Sequence, residues 1–364
     1  MIANKSITAI SAAPKNLQLI QVLRGVASLL VLLLHATKNF ATVSNKPFLN
    51  DFFEFGGSGV DIFFVLSGFI ITYTSIKGLS QPNKLFAFIR RRMVRIFPIY
   101  WIIITLLLIA QFVLPDLYRS HYFFTPGTFF STWFLLPGHS MVNGVSWTLS
   151  FELFFYLLFS LAFIIPVKKW AYCLFVLYAL VLIAIPILGY NFENGNEWVK
   201  LISYPMNVEF FMGVTAALII PKIIARAALP MIIIGIILFL AAGIFYNNDH
   251  YLVGNTFNRV IIFGIPSFLI ITGLVKFELL HKISTPRLLI LMGEASYSLY
   301  LLHLPLIAAT VKLISKLHIQ NVVLLHIVLL MAIGLICFIS ILFYKWIEKP
   351  MINKLNAIGK RKSL

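Results

Sequence analysis

The sequence predicts an all-α, polytopic transmembrane bundle of about ten helices, with both ends on the cytoplasmic side. Three observations carry that expectation. Of 364 residues, 60% are hydrophobic and only 11% charged, less than half the ~25% charged share of soluble domains. Apolar runs of roughly 18 to 22 residues recur along the whole length, each enough to cross a hydrocarbon core of ~30 Å. The basic residues, finally, gather in alternate connections. A water-soluble alternative would have to bury most helices on every side, which a chain of this size cannot arrange.

The expected spans run Leu17–Thr37, Gly59–Ile76, Ile96–Leu114, Ser146–Ile165, Trp170–Tyr190, Tyr204–Ile220, Met231–Tyr246, Asn258–Val275, Leu289–Val311 and Val322–Tyr344. One set of connections, which includes both tails, holds 22 of the 29 Lys and Arg residues. The opposite set holds seven, among them Lys46, Arg119 and Arg259, together with Asp51, Glu54, Asp116, Glu193, Glu197 and Asp249. The positive-inside rule places the first set in the cytoplasm. The net charge of +17 then follows mostly from topology and suits an anionic inner leaflet, with no nucleic acid required.

Residues 1–16 are polar and contain no apolar stretch, so the first span reads as a retained signal anchor rather than a cleavable signal. No repeat of fixed period and no soluble domain is visible. One membrane domain is expected over 1–364, with short cytoplasmic tails at 1–16 and 345–364. The longest external stretch, Pro115 to Val145, contains Pro, Gly, Trp and Phe and is expected to dip into the interface. Cys173 and Cys337 both fall in apolar runs and read as buried small hydrophobes.

Ionisable residues within the spans are costly and mark candidate sites. Arg24 and His35 lie 11 residues apart on the first span, nearly on one face and ~16 Å apart along the axis at about 1.5 Å per residue. A plain alternative is a snorkelling arginine and an interfacial histidine. Asp61, Glu152, Glu209 and His303 are expected at a similar depth beneath the outer surface, in four further spans. Histidines and carboxylates gathered in one layer suit general acid–base chemistry, and equally a proton-coupled carrier or flippase. Arg90, Arg91, Arg92 and Arg95 precede the third span. Arg92 and Arg95, three apart, share a helix face and suit a bidentate grip on an anionic group, such as a cofactor bearing several phosphates. Otherwise they are a topological anchor.

These residues fall within recognisable blocks. Ile20-Gln21-Val22-Leu23-Arg24-Gly25-Val26-Ala27 leads to His35; Gly59-Val60-Asp61-Ile62-Phe63-Phe64-Val65-Leu66-Ser67-Gly68-Phe69 follows, then Arg92 and Arg95. Ser146-Trp147-Thr148-Leu149-Ser150-Phe151-Glu152 and Ala295-Ser296-Tyr297-Ser298-Leu299-Tyr300-Leu301-Leu302-His303 complete the series. In this order the chain resembles the membrane-bound acyltransferase 3 family, the bacterial O-acetyltransferases of lipopolysaccharide, exopolysaccharide and related glycans, in its stand-alone form.

The resemblance implies transfer of an acetyl or other short acyl group from coenzyme A to a hydroxyl of a cell-surface or lipid-linked carbohydrate, at the bacterial inner membrane and without a metal. Arg92 and Arg95 would hold the phosphates of acetyl-CoA, with the pantetheine arm rising past Arg24. His35 would act as general base or transient acyl carrier, oriented by Asp61 or Glu152. Trp147 and Ser150, with His303, would line the sugar site.

Overall fold

The computed structural model describes residues 17–44, 48–113, 125–138, 142–189, 195–248 and 256–361. The N-terminal tail with Lys5 and Lys15, the span ends Leu114 and Tyr190, and Lys46, Asp116, Arg119, Glu193, Asp249 and Lys362 lie outside the described residues. All ten expected spans are helices long and apolar enough to cross a membrane. Their main α-helices are α1 (Gln18–Ser44), α2 (Gly59–Ser75), α3 (Leu85–Val113), α4 (Trp147–Ile164), α5 (Lys168–Ile187), α6 (Asn207–Ile219), α7 (Ala228–Asn248), α8 (Ile265–Leu280), α9 (Ser296–Ser315) and α10 (Val322–Phe343), with adjoining helical turns completing the spans of α2, α6 and α8. Among the described residues there is no strand. The chain is a multi-pass membrane protein.

Close backbone contact holds the central helices together. A side chain at Gly68 of α2 would sit 1.9 Å from the Phe210 carbonyl oxygen, and one at Gly213 of α6 would sit 2.0 Å from that of Val65. With no hydrophobic drive between helices in lipid, such small-residue seams supply packing contact instead. Next to this seam the rings of Phe64, Phe210 and Phe155 stack at 4.6 and 4.4 Å. The outward faces of α5, α7 and α10 are apolar and exposed at Leu177, Ile237 and Met331, as lipid contact requires. Cys173 also lies on the exposed surface of α5 rather than buried as expected.

Four boundaries differ from the expectation. α3 begins at Leu85 rather than Ile96, because nothing in Leu85–Arg95 breaks a helix; the arginines are on α3, not in a loop before it. The span expected from Leu289 is two helices, Arg287–Glu294 and α9, with Gly293 pressed so closely on α1 that a side chain would meet Gln21 O at 1.8 Å. α1 runs on to Ser44, so His35 is well inside it. Beyond α10, a wide helical turn at Tyr344–Glu348 leads into the helix Lys349–Arg361. These residues are not a free tail, since Arg90 Nη2 donates to Leu355 O at 2.5 Å.

Two further sets of hydrogen bonds set the frame. The Glu278 carboxylate of α8 accepts from the Gln18 and Leu19 amides at 2.5 and 2.9 Å, satisfying orphan donors at the positive end of α1. Within the external stretch, Pro126–Phe134 is a short helix with Phe129, Phe130 and Phe134 exposed. Tyr100 and Trp101 of α3 donate to its Thr132 and Trp133 carbonyls at 2.6 and 2.8 Å.

Candidate active site

The expected single layer of titratable residues resolves into three separate groups. The first joins the two histidines. His303 Nε2 lies 3.2 Å from His35 Nδ1, with the rings 5.0 Å apart and tilted by 49°. Each Nδ1 also approaches the carbonyl four residues earlier in its own helix, Val31 O at 2.9 Å and Leu299 O at 3.2 Å. A carbonyl only accepts, so both rings carry hydrogen on Nδ1. The His35 N–H is then shared between Val31 O and the His303 Nε2 lone pair. His35 Nε2 is left as a lone pair without a hydrogen-bond partner among the described residues. His303 is fully buried and His35 only partly.

The second group sits one to three turns nearer the end of the bundle where α1 begins, its basic face. Arg24, Arg95, Glu152, Ser67, Tyr297 and Tyr300 help line a narrow cavity of about 70 Å³. The Glu152 carboxylate accepts from Ser67 Oγ at 3.1 Å and from the Tyr156 hydroxyl. Tyr300 links this cavity to the histidines: its hydroxyl meets Thr148 Oγ1 at 2.8 Å, and its ring lies 5.9 Å from His303. Neither Glu152 nor Asp61 hydrogen-bonds His35, contrary to expectation. The imidazole is oriented by Val31 O and His303, both reached from within α1 and α9.

Arg24 and Arg95 also line a wider cavity of about 1180 Å³ that opens on the basic face. Arg90, Arg91 and Arg92 line it as well, against the two carboxylates Glu294 and Glu348. Among the described residues none of these five guanidinium groups forms an ion pair. Arg92 is buried, donates to Thr74 Oγ1 at 3.1 Å, and lies between the rings of Phe88 and Tyr156 at 5.6 and 5.7 Å. Arg24 donates to Gln21 Oε1 at 3.0 Å. Such excess positive charge within a bundle is costly without an anion to receive it.

The third group is an ion pair that shares no hydrogen bond with the histidines among the described residues. Asp61 is fully buried and receives Arg259 Nε at 3.0 Å and Nη2 at 2.6 Å. Arg259 Nη2 also donates to Gly57 O at 2.7 Å, and buried Glu209 adjoins the pair. Arg259 is counted with the outer connections although the expected span Asn258–Val275 contains it; the helix begins at Thr256, and the guanidinium turns inward to Asp61. Trp147 and Ser150 lie away from the described cavities, on the side of α4 opposite Thr148, Leu149 and Glu152. Ser150 is buried, its hydroxyl without a partner among the described residues, and Trp147 packs edge-on against Phe151. The sequence reading also missed Glu348, which lies beyond the last apolar run yet is buried and accepts from Ser298 Oγ.

The acyltransferase domain family, acyltransferase 3, matches residues 18–345, nearly the whole chain. The chain belongs to this family. A relative of this acyltransferase is the exopolysaccharide production protein ExoZ of Rhizobium meliloti (strain 1021), 29% identical over 273 residues, covering 69% of this chain and 76% of ExoZ. No solved structure matches it. The blocks quoted above from Arg24 to His303 all lie inside the matched range. The acyltransferase therefore carries, within one family domain, an arginine-lined cavity on one face and a histidine pair deeper in the bundle.

Proposed function

We propose that this membrane acyltransferase moves an acetyl or other short acyl group from cytoplasmic acyl-CoA to a hydroxyl of a cell-surface or lipid-linked carbohydrate, with its basic face in the cytoplasm of a bacterial cell. One observation carries the reading: five guanidinium groups with no ion-pair partner among the described residues line one cavity, and two of them, Arg24 and Arg95, also line the smaller cavity bordered by Tyr300, whose ring lies beside His303. A donor with several phosphates matches that charge. The smaller cavity is lined by the hydroxyls of Ser67, Thr148, Tyr297 and Tyr300 together with Phe63, Phe64 and Ile70, which suits a thin chain with spaced amides. The name of the relative in Rhizobium meliloti favours a carbohydrate acceptor.

In this reading His35 Nε2 takes the proton of the acceptor hydroxyl while its oxygen bonds the acyl carbon. The carbon–sulfur bond of the thioester breaks, and the departing thiolate recovers the proton from the imidazolium. His303 Nε2 accepts from His35 Nδ1–H throughout, which fixes the tautomer and helps to stabilise the transient positive ring. The same geometry permits His35 to carry the acyl group briefly itself.

Arg95 lines both cavities, so it is the position at which to test donor binding. Arg95→Ala is expected to weaken acetyl-CoA binding roughly tenfold to a hundredfold, the loss of a charge-assisted hydrogen bond of about 1.5 to 3 kcal/mol. Binding measured with radiolabelled acetyl-CoA on the purified protein checks this. Unchanged affinity would return the arginines to a role in topology alone.

A further inference from the structure

Beyond the histidine pair, away from the arginines, lies another cavity of about 240 Å³. Asn39, one turn past His35 on α1, and Leu304, next to His303 on α9, both line it. Gln111 of α3, Asn143, Pro305 and Ala308 contribute the rest of the polar and small-residue wall. We propose that this cavity is the acceptor subsite and takes one neutral monosaccharide unit of a glycan. The assignment rests on the acyl-transfer reading above and adds the acceptor's chemistry and place.

The wall is built rather than incidental. Pro305 has no N–H, so the Leu301 carbonyl lacks its helical donor. Asn143 Nδ2 supplies the missing bond at 2.9 Å, and Asn143 Oδ1 accepts from Val145 N at 3.4 Å. That fixes residues 142–144 against α9. Asn39 Nδ2 donates to His35 O at 2.7 Å, leaving its Oδ1 without a partner among the described residues. The Gln111 carboxamide likewise has none there. Amides held toward a cavity with unmet hydrogen-bonding capacity suit hydroxyl groups, which donate and accept.

Charge and size narrow the ligand class. Among the described residues no ionisable side chain lines the cavity, so a uronic acid or phosphorylated sugar would meet no counter-ion from them. Its volume lies under the ~300 Å³ at which pockets for drug-sized ligands begin, which fits a single ring and not an oligosaccharide. The rest of a polymeric or lipid-linked acceptor would remain outside.

The test uses the full chain in proteoliposomes with radiolabelled acetyl-CoA and a panel of neutral octyl hexosides beside octyl glucuronide. Acetyl-CoA binding and acetyl-glycoside formation are read separately. Acetylation of a neutral glycoside in preference to the glucuronide is expected. Gln111→Leu should raise the glycoside KM about tenfold, the scale of one or two neutral hydrogen bonds. Ala308→Phe, which fills the cavity, should raise it further, and both should bind acetyl-CoA as the parent does. An unmoved KM in both variants, preference for the glucuronide, or acetyl-CoA binding without transfer to any neutral glycoside would each overturn the subsite. Failure of the parent protein to bind acetyl-CoA would instead remove the acyl-transfer reading beneath it.

Discussion

Two histidines separated by 268 residues share one hydrogen bond, and that contact sets what each can do. His35 keeps its Nε2 lone pair available because its Nδ1–H is committed twice over. In the proposed reaction His303 would be a positioning residue, with its own Nδ1–H committed to Leu299 O. His303→Gln, whose side-chain oxygen is able to accept from His35 Nδ1–H, is expected to retain more transfer than His303→Leu. The leucine variant should lose roughly one to two orders of magnitude in kcat, within the ~100- to 10,000-fold span of general-base effects, with acetyl-CoA affinity unchanged. Equal kcat in the two variants would remove His303 from the proton path. The Arg24 and His35 spacing was legible from periodicity along one helix. Their partners were not, since neither the His303 contact nor the approach of Glu152 to the arginines is encoded in local spacing.

Helix boundaries account for most of what the sequence left hidden. Span ends were set by average apolarity, which breaks off at arginines and glutamates even where the helix continues. Arg259 and Glu348 were thus assigned to connections, although both lie inside. Asp61 shows the consequence: an intramembrane carboxylate looked like a catalytic group until its guanidinium partner appeared. As a staple between α2 and the helical segment leading into α8, the pair is expected to hold the fold. Asp61→Asn or Arg259→Met should each destabilise by about 3 to 5 kcal/mol, since removing one member strands a buried charge or hydrogen-bonding group. Replacing both, Asp61→Asn with Arg259→Met, should recover part of that loss. Thermal unfolding of the detergent-solubilised protein reads these values. Wild-type unfolding in Asp61→Asn, combined with lost acyl transfer, would return the carboxylate to the active site.

At the scale of the whole molecule, the all-helical bundle and its ten spans were legible in composition alone, because lipid leaves little choice of structure. The positive-inside rule, applied to the 22 of 29 basic residues in one set of connections, gives an expected orientation. A reporter fused after Leu364 is expected to read cytoplasmic and one inserted between Glu193 and Glu197 extracytoplasmic; the same side for both would break the ten-span topology. In that orientation the arginine cavity would face the cytoplasm, where the proposed acyl-CoA donor is made, with the histidine pair and the amide-lined cavity toward the other side. The most direct measurement is transfer of radiolabelled acetyl from acetyl-CoA to glycan by His35→Ala, in membranes with matched protein levels and with acetyl-CoA binding measured in parallel. The account predicts retained binding and a fall in transfer of about a hundredfold to ten-thousandfold, whereas near-normal acetylation by His35→Ala would contradict it.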